Sequence, residues 1–232
     1  MPKIIESGSG TLIPNANNVA VSRRRFLGYG AAAAALVVGV AACKKDNNNN
    51  MPSTGIDLGS GDFGILNYAY ALEQLEAAFY TKVIMSPYSG GSAAEMALLT
   101  DIRDHEIAHR EFFKNALGSN AIAALTPDFS AIDFTSRTSV LGAAKAFEDL
   151  GVSAYNGAGK LITNPAYLTI AGKIVSVEAR HAAYIRDLIS NGTFADSTDA
   201  NGMDVSMDPA AVLTAANTYL TTKVSGTNLP TS

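Results

Sequence analysis

Between residues 62 and 190, apolar positions recur every three or four residues in four separate stretches, and nowhere do they alternate for long. The first spacing is helical and the second would be a strand's, so the pattern predicts an all-α protein. In the first stretch, from Ile65 to about Met85, Ile65, Tyr68, Ala69, Leu72, Leu75, Phe79 and Val83 share one face. Asn67, Gln74 and Thr81 share the opposite one,. Pro87 and Gly90-Gly91 end this helix. Ser92-Ala93-Ala94-Glu95 opens the second: the serine can accept from the backbone N–H three residues on, and the glutamate can reach back. This helix runs to about Leu117, with Gly118 as its stop. Residues 119–134 form a connection long enough to cross a bundle. A third helix is expected over roughly Ser136 to Lys160, where Gly151, Gly157 and Gly159 lower helix propensity and make it depend on packing. Asn164-Pro165 supplies a cap and a first-turn proline for the fourth, which ends at Asn191-Gly192. A short helix from about Pro209 to Leu220 is expected to cap the bundle.

The stripes carry charge where a core should have none. The second helix reads Leu99, Ile102, Glu106, His109, Phe113, and the fourth reads Ala171, Ile174, Glu178, His181, Ile185. Both have the same 3-4-3-4 spacing, so each Glu and the His three residues on point from one apolar face. A buried ionised carboxylate is costly unless it is paired or binds a cation, so two such pairs call for a counter-charge. The other two helices supply further acid through an internal repeat. Leu72-Glu73-Gln74-Leu75 is matched by Phe147-Glu148-Asp149-Leu150, and a tyrosine, Tyr80 or Tyr155, follows seven residues after each Glu. The chain thus reads as two helical hairpins, each giving Glu…Tyr and then Glu-x-x-His. Packed about a pseudo-twofold, they would gather four carboxylates and two imidazoles around one point. Tyr80 and Tyr155 are expected to orient the carboxylates as hydrogen-bond donors. Glu76 competes with Glu73: periodicity favours Glu76, while the repeat favours Glu73 because Glu76 aligns with Gly151. Glu76 is therefore carried as an extra or alternative ligand.

Four Glu and two His in this order are the ligand inventory of ferritin-like di-iron and di-manganese carboxylate proteins, built on a four-helix bundle of two hairpins joined by a crossover. The resemblance covers about residues 62–190. The Leu72-Glu73-x-Leu75-Glu76-Ala77-x-Phe79-Tyr80 string is similar to secreted ferritin-like proteins that include desiccation-related ones. The resemblance implies that Glu73, Glu106, His109, Glu148, Glu178 and His181 hold two Fe or Mn ions, with Glu106 and Glu178 bridging, Glu73 and Glu148 terminal, and one histidine on each metal. It implies redox chemistry on O2 or peroxide, or metal binding for stress protection without turnover. His105-Glu106-Ile107-Ala108-His109 also fits the zinc-protease pattern His-Glu-x-x-His. That reading leaves Glu73, Glu148, Glu178 and His181 without a purpose, and no third-ligand motif follows.

The N-terminus reads as an address. Ser22-Arg23-Arg24-Arg25-Phe26-Leu27 is similar to a twin-arginine export signal. The apolar run Ala31 to Ala42 is shorter than a membrane span needs, and Val40-Ala41-Ala42-Cys43 resembles a lipobox. This divides the chain into a signal peptide over 1–42, a lipidated Cys43 with a polar tether over 43–61, the bundle over 62–190, and a C-terminal extension over 191–232. The expected product is an exported lipoprotein held to a membrane through lipid on Cys43, on the periplasmic or cell-surface side. A single cysteine excludes internal disulfides and Cys-based metal clusters,. A net charge of -4 gives no support to nucleic-acid binding,. A homo-oligomer is left open.

Overall fold

The computed structural model describes residues 55–231. Cys43, the signal peptide and the tether up to residue 54 lie outside the described residues. Among those described, four long helices form the bundle: α1 (Gly61–Met85), α2 (Ala93–Leu117), α3 (Arg137–Gly159) and α4 (Pro165–Ile189). A short α5 (Pro209–Ala216) follows, and β1 (Ile56–Asp57) pairs in parallel with β2 (Val224–Ser225). The bundle consists of two hairpins, α1 with α2 and α3 with α4, and α1 packs on α3 between them. No described helix is long and apolar enough to cross a membrane.

The helix ends follow local chemistry. Ser92 Oγ accepts from Glu95 N–H at 3.1 Å, and Asn164 Oδ1 accepts from Ala166 N–H at 2.9 Å. Gly118 ends α2 with a φ of 55°, which glycine adopts without steric cost,. The Glu95 side chain does not reach back to its own helix start. It accepts instead from Tyr88 and from Arg137 Nε at 2.8 Å, tying the first interhelical turn to the start of α3.

Asn67 and Gln74, on the face opposite the apolar one, are buried as well. The crossover after α2 lies over their face. Asn67 Nδ2 donates to the carbonyls of Leu58 and Asn120, while Ile122 N–H donates to Asn67 Oδ1 and Leu125 N–H to Gln74 Oε1. An irregular segment packed on a bundle carries backbone groups that need partners, and these two amides supply them. Three expectations need correction. The tether ends earlier than residue 61. Ile56 N–H donates to Lys223 O at 2.8 Å, Leu58 N–H to Ser225 O at 3.0 Å, and Leu58 is fully buried. Short strands do therefore occur. The C-terminal extension also does more than cap the bundle: Val212, Leu213, Ala216, Leu220, Val224 and Leu229 are buried in the main core.

The weak α3 leans on packing at two of its three late glycines. A Cβ at Gly157 would lie 1.9 Å from the Met207 carbonyl oxygen, in the segment whose Met207 N–H donates to Ser153 O. A Cβ at Gly151 would lie 3.1 Å from Glu76 Oε1. Gly142, in the same helix, has nothing within 4 Å. Alanine at Gly142 is expected to stabilise the protein by about 0.5–1 kcal/mol through the helix-propensity gain. Alanine at Gly157 is expected to destabilise it by about 1–3 kcal/mol, because a backbone neighbour must move. Urea unfolding of the two variants measures both, and equal shifts of the same sign would refute the packing argument.

Candidate metal centre

The ligand-type side chains reach the middle of the bundle from all four long helices. α1 brings Glu73, α2 brings Glu106 and His109, α3 brings Glu148, and α4 brings Glu178 and His181. Glu73, Glu106, Glu148 and Glu178 are all fully buried. Two groups form, each with donor atoms within 4.8 Å of one another: Glu73, Glu106, His109 and Glu178, then Glu106, Glu148, Glu178 and His181. Glu106 and Glu178 belong to both. The structure therefore brings together all six residues singled out from the sequence.

The hydrogen bonds separate two kinds of carboxylate. Tyr80 of α1 donates to Glu148 Oε1 of α3, and Tyr155 of α3 donates to Glu73 Oε1 of α1. Each tyrosine thus serves the carboxylate of the other hairpin, a reciprocal pairing about the pseudo-twofold. Glu73 and Glu148 each keep one oxygen, Oε2, without a hydrogen-bond partner. Glu106 and Glu178 keep both. These carboxylates divide their oxygens between the two imidazoles. Glu106 Oε2 lies 3.5 Å from His109 Nδ1 and its Oε1 lies 2.8 Å from His181 Nδ1. Glu178 Oε1 lies 3.0 Å from His109 Nδ1 and its Oε2 lies 3.8 Å from His181 Nδ1.

These contacts are close but do not form hydrogen bonds, since both Nδ1 atoms lack a hydrogen-bond partner. That is the geometry of donors aimed at a common point. Neighbouring ligands of an ion with bonds of about 2.1 Å stand about 3 Å apart. Buried polar atoms are rarely left unpaired. Here the six residues offer eight such atoms, which is four for each of two ions. Four carboxylates also neutralise two divalent cations. The residues present therefore fit a pair of metal ions.

Electrostatics agrees. Burial pushes Glu106 well above the usual carboxylate range, and Glu178 adds to this while His109 and His181 oppose it. Burial acts on Glu178 the same way, but contact with both histidines outweighs it and holds the group at about 2. Burial also raises Glu148, to about 7, against the pull of His181. Desolvation alone would lower both histidines. Glu106, Glu178 and Glu73 instead raise His109, and Glu106, Glu148 and Glu178 raise His181 to about 12. The surrounding acids thus favour protonation of both imidazoles, and a metal ion competes with protons for their Nδ1 atoms,. Burial keeps Tyr80 and Tyr155 protonated, as donors must be.

Glu76 belongs to neither group. It is buried, and its carboxyl occupies the space left by Gly151, its counterpart in the repeat. The same point above Gly151 lies 3.7 Å from Glu178 Oε2. Burial, then Glu178 and the other three acids, push Glu76 well above the usual range. Burial and the neighbouring acids thus disfavour a fifth charge at this position.

His105 joins neither group. Its Nδ1 lies 2.9 Å from His181 Nε2, so the two histidines of the His-Glu-x-x-His string do not converge on one ion. Sequence reasoning gave His105 no other role. The repeat held a signal, because the residue before Glu178 is Val177 and the residue before Glu106 is His105. Arg103 and Arg110 pair with Asp104 and Glu111 at the surface and stay out of the site.

A bundle of two hairpins with carboxylates from all four helices defines the class of ferritin-like proteins. The chain belongs to this family: the sequence model of the ferritin-like domain matches residues 61–191. No curated protein matches the chain.

Removing one tyrosine hydroxyl tests the reciprocal pairing. Tyr155→Phe leaves Glu73 Oε1 without its donor, and Tyr80→Phe does the same to Glu148. Each is expected to lower affinity at one metal position by about 10–100-fold and to spare the other. Calorimetric titration with Mn(II) measures this, and a loss shared equally by both positions would count against it.

Proposed function

We propose that this protein holds two Fe or Mn ions, with Glu106 and Glu178 bridging them, Glu73 and Glu148 as terminal ligands, and His109 and His181 on one ion each. The observation that carries this reading is the distribution of free donor atoms: both oxygens on the two shared carboxylates, one on each of the others, and Nδ1 on each imidazole. Oxygen-rich donors with little nitrogen and no sulfur favour Fe or Mn over Cu. Such a pair of ions, when bound, supplies the one-electron couples that reduction of O2 or peroxide requires. The chain's own part is to hold the carboxylates through Tyr80 and Tyr155, to keep bulk water out with a buried aromatic and aliphatic core, and to aim Nδ1 of both imidazoles into the cluster. The function proposed is redox chemistry on O2 or peroxide in stress protection, as in the secreted and desiccation-related ferritin-like proteins that the helix-one string resembles.

The same reading places the protein outside the cytoplasm, tethered through lipid on Cys43. Its support is the Ser22–Leu27 string, the short apolar run and the lipobox-like residues before Cys43. Cys43→Ala is expected to move the protein from the membrane fraction to the soluble exported fraction. Metal analysis of the full chain together with a peroxide-consumption assay tests the chemistry. About two Fe or Mn per chain with turnover supports the oxidoreductase. Two ions without turnover leaves a metal-binding protective protein, and no bound metal overturns both.

A further inference from the structure

The two metal positions are not equivalent, and the difference lies just outside the ligands. His109 turns Nδ1 toward Glu73, Glu106 and Glu178, and His181 turns Nδ1 toward Glu106, Glu148 and Glu178. A nitrogen that binds a metal carries no proton, so each neutral imidazole then carries its proton on Nε2. For His181 that proton has a partner, His105 Nδ1, at 2.9 Å.

The two rings are nearly coplanar, 8° apart, with centroids separated by 5.2 Å. That separation is the nitrogen–nitrogen distance plus one ring radius at each end. The imidazoles therefore meet edge to edge along the line of centres, the best geometry for a ring N–H to donate to a ring nitrogen. His181 is buried and His105 is exposed. His105 opens onto a surface cleft of about 220 Å³ between α2 and α4, beside Asp101, Ile102, Val177, Arg180 and Tyr184. Among the described residues no such bond reaches His109. At the matched place in the other hairpin stands Val177, which has neither donor nor acceptor.

Resting on the dinuclear reading above, we infer that His105 is a positioning residue for one metal position only: its Nδ1 accepts a hydrogen bond from His181 Nε2–H, fixes that ring with Nδ1 aimed inward, and makes the ion held with Glu148 the tighter bound of the two. Partners of this kind orient a ligating histidine and raise its basicity, and removing one costs about 10–100-fold in affinity. The position held with Glu73 and His109 lacks this support.

Co(II) titration of the metal-free full chain, followed by its visible absorption, tests the inference. The wild type is expected to take up two Co(II) in two separable phases. In His105→Val the tighter phase is expected to weaken about 10–100-fold, with the other unchanged. His105→Asn, whose side-chain oxygen can stand where Nδ1 stands, is expected to restore most of it. The exposed position makes the thermal midpoint of the metal-free variants a control for folding. His105→Val combined with His181→Ala should lose no more than His181→Ala alone, whereas combined with His109→Ala the losses should add. Two Co(II) bound by His105→Val as tightly as by the wild type would overturn the inference and leave the dinuclear reading standing. Equal weakening of both phases would do the same. A wild type that takes up no Co(II) would overturn both.

Discussion

Glu106→Ala is expected to empty both metal positions at once, taking bound metal from about two ions per chain to near zero. The reason is topological. Glu106 stands in both donor groups and offers one oxygen toward each imidazole. Its loss therefore removes a donor and a negative charge from each ion together. Glu178→Ala is expected to do the same. Glu148→Ala removes a donor from one group only and is expected to leave about one ion bound. An isosteric variant separates folding from metal binding. Burial and Glu178 push the Glu106 carboxyl well above its usual range, so both oppose its ionised form in the metal-free protein. The isosteric Glu106→Gln keeps the volume and removes the need to desolvate a charge. Its metal-free melting midpoint is expected to match or exceed the wild type's while its metal content collapses. Elemental analysis of all four variants decides this. A Glu106→Ala protein that retains one full ion would show that the carboxylate is not shared.

Phe79→Ala is expected to cost about 3–5 kcal/mol of stability in the metal-free protein. Phe79 is fully buried, and its ring meets Phe147 edge-on at 4.9 Å, Tyr80 at 5.0 Å and Phe129 at 5.9 Å. The aromatic cluster stands directly behind the site. Phe79 precedes Tyr80 and Phe147 precedes Glu148, so the ring pair Phe79–Phe147 backs the hydrogen bond Tyr80–Glu148. A cavity there removes packing on several sides at once, and α1, buried along most of its length, has little freedom to collapse into it,. For a chain of this size the loss lowers the melting midpoint by roughly 10 °C. Bound metal stabilises the folded state by mass action and should restore part of that loss. Melting in chelator and in Mn(II) measures both effects. A loss under about 1 kcal/mol would mean the neighbouring rings close the gap.

The repeat has no ring to match Phe79, since it places Ala154 opposite. The same comparison explains Glu76 and Gly151, and His105 and Val177. In each pair one half carries the bulky or polar group and the other leaves space or apolar surface. The repeat could therefore select Glu73 over Glu76, which periodicity could not. It could not say what the odd residues do, because a mismatch in a repeat marks a difference without giving its partner.

Local chemistry was readable from the sequence because it depends on residues close in the chain. The helical stripes, the Ser92 and Asn164 caps, the Gly118 stop and the two Glu-x-x-His pairs all follow from spacing within one or two turns. So does the gathering of six ligand-type residues, because two matching hairpins can bury those stripes only against each other. Tertiary structure alone decided what covers each face. Period shows that Asn67 and Gln74 share a side of α1; it does not show that the crossover lies there and needs their hydrogen bonds. Period likewise could not show that Tyr80 serves Glu148 and Tyr155 serves Glu73, that Leu58 and the C-terminal segment complete the core, or that His105 meets a histidine 76 positions away. Those pairings arise from packing distant segments, where burial and unsatisfied polar groups, rather than helical spacing, choose the partner.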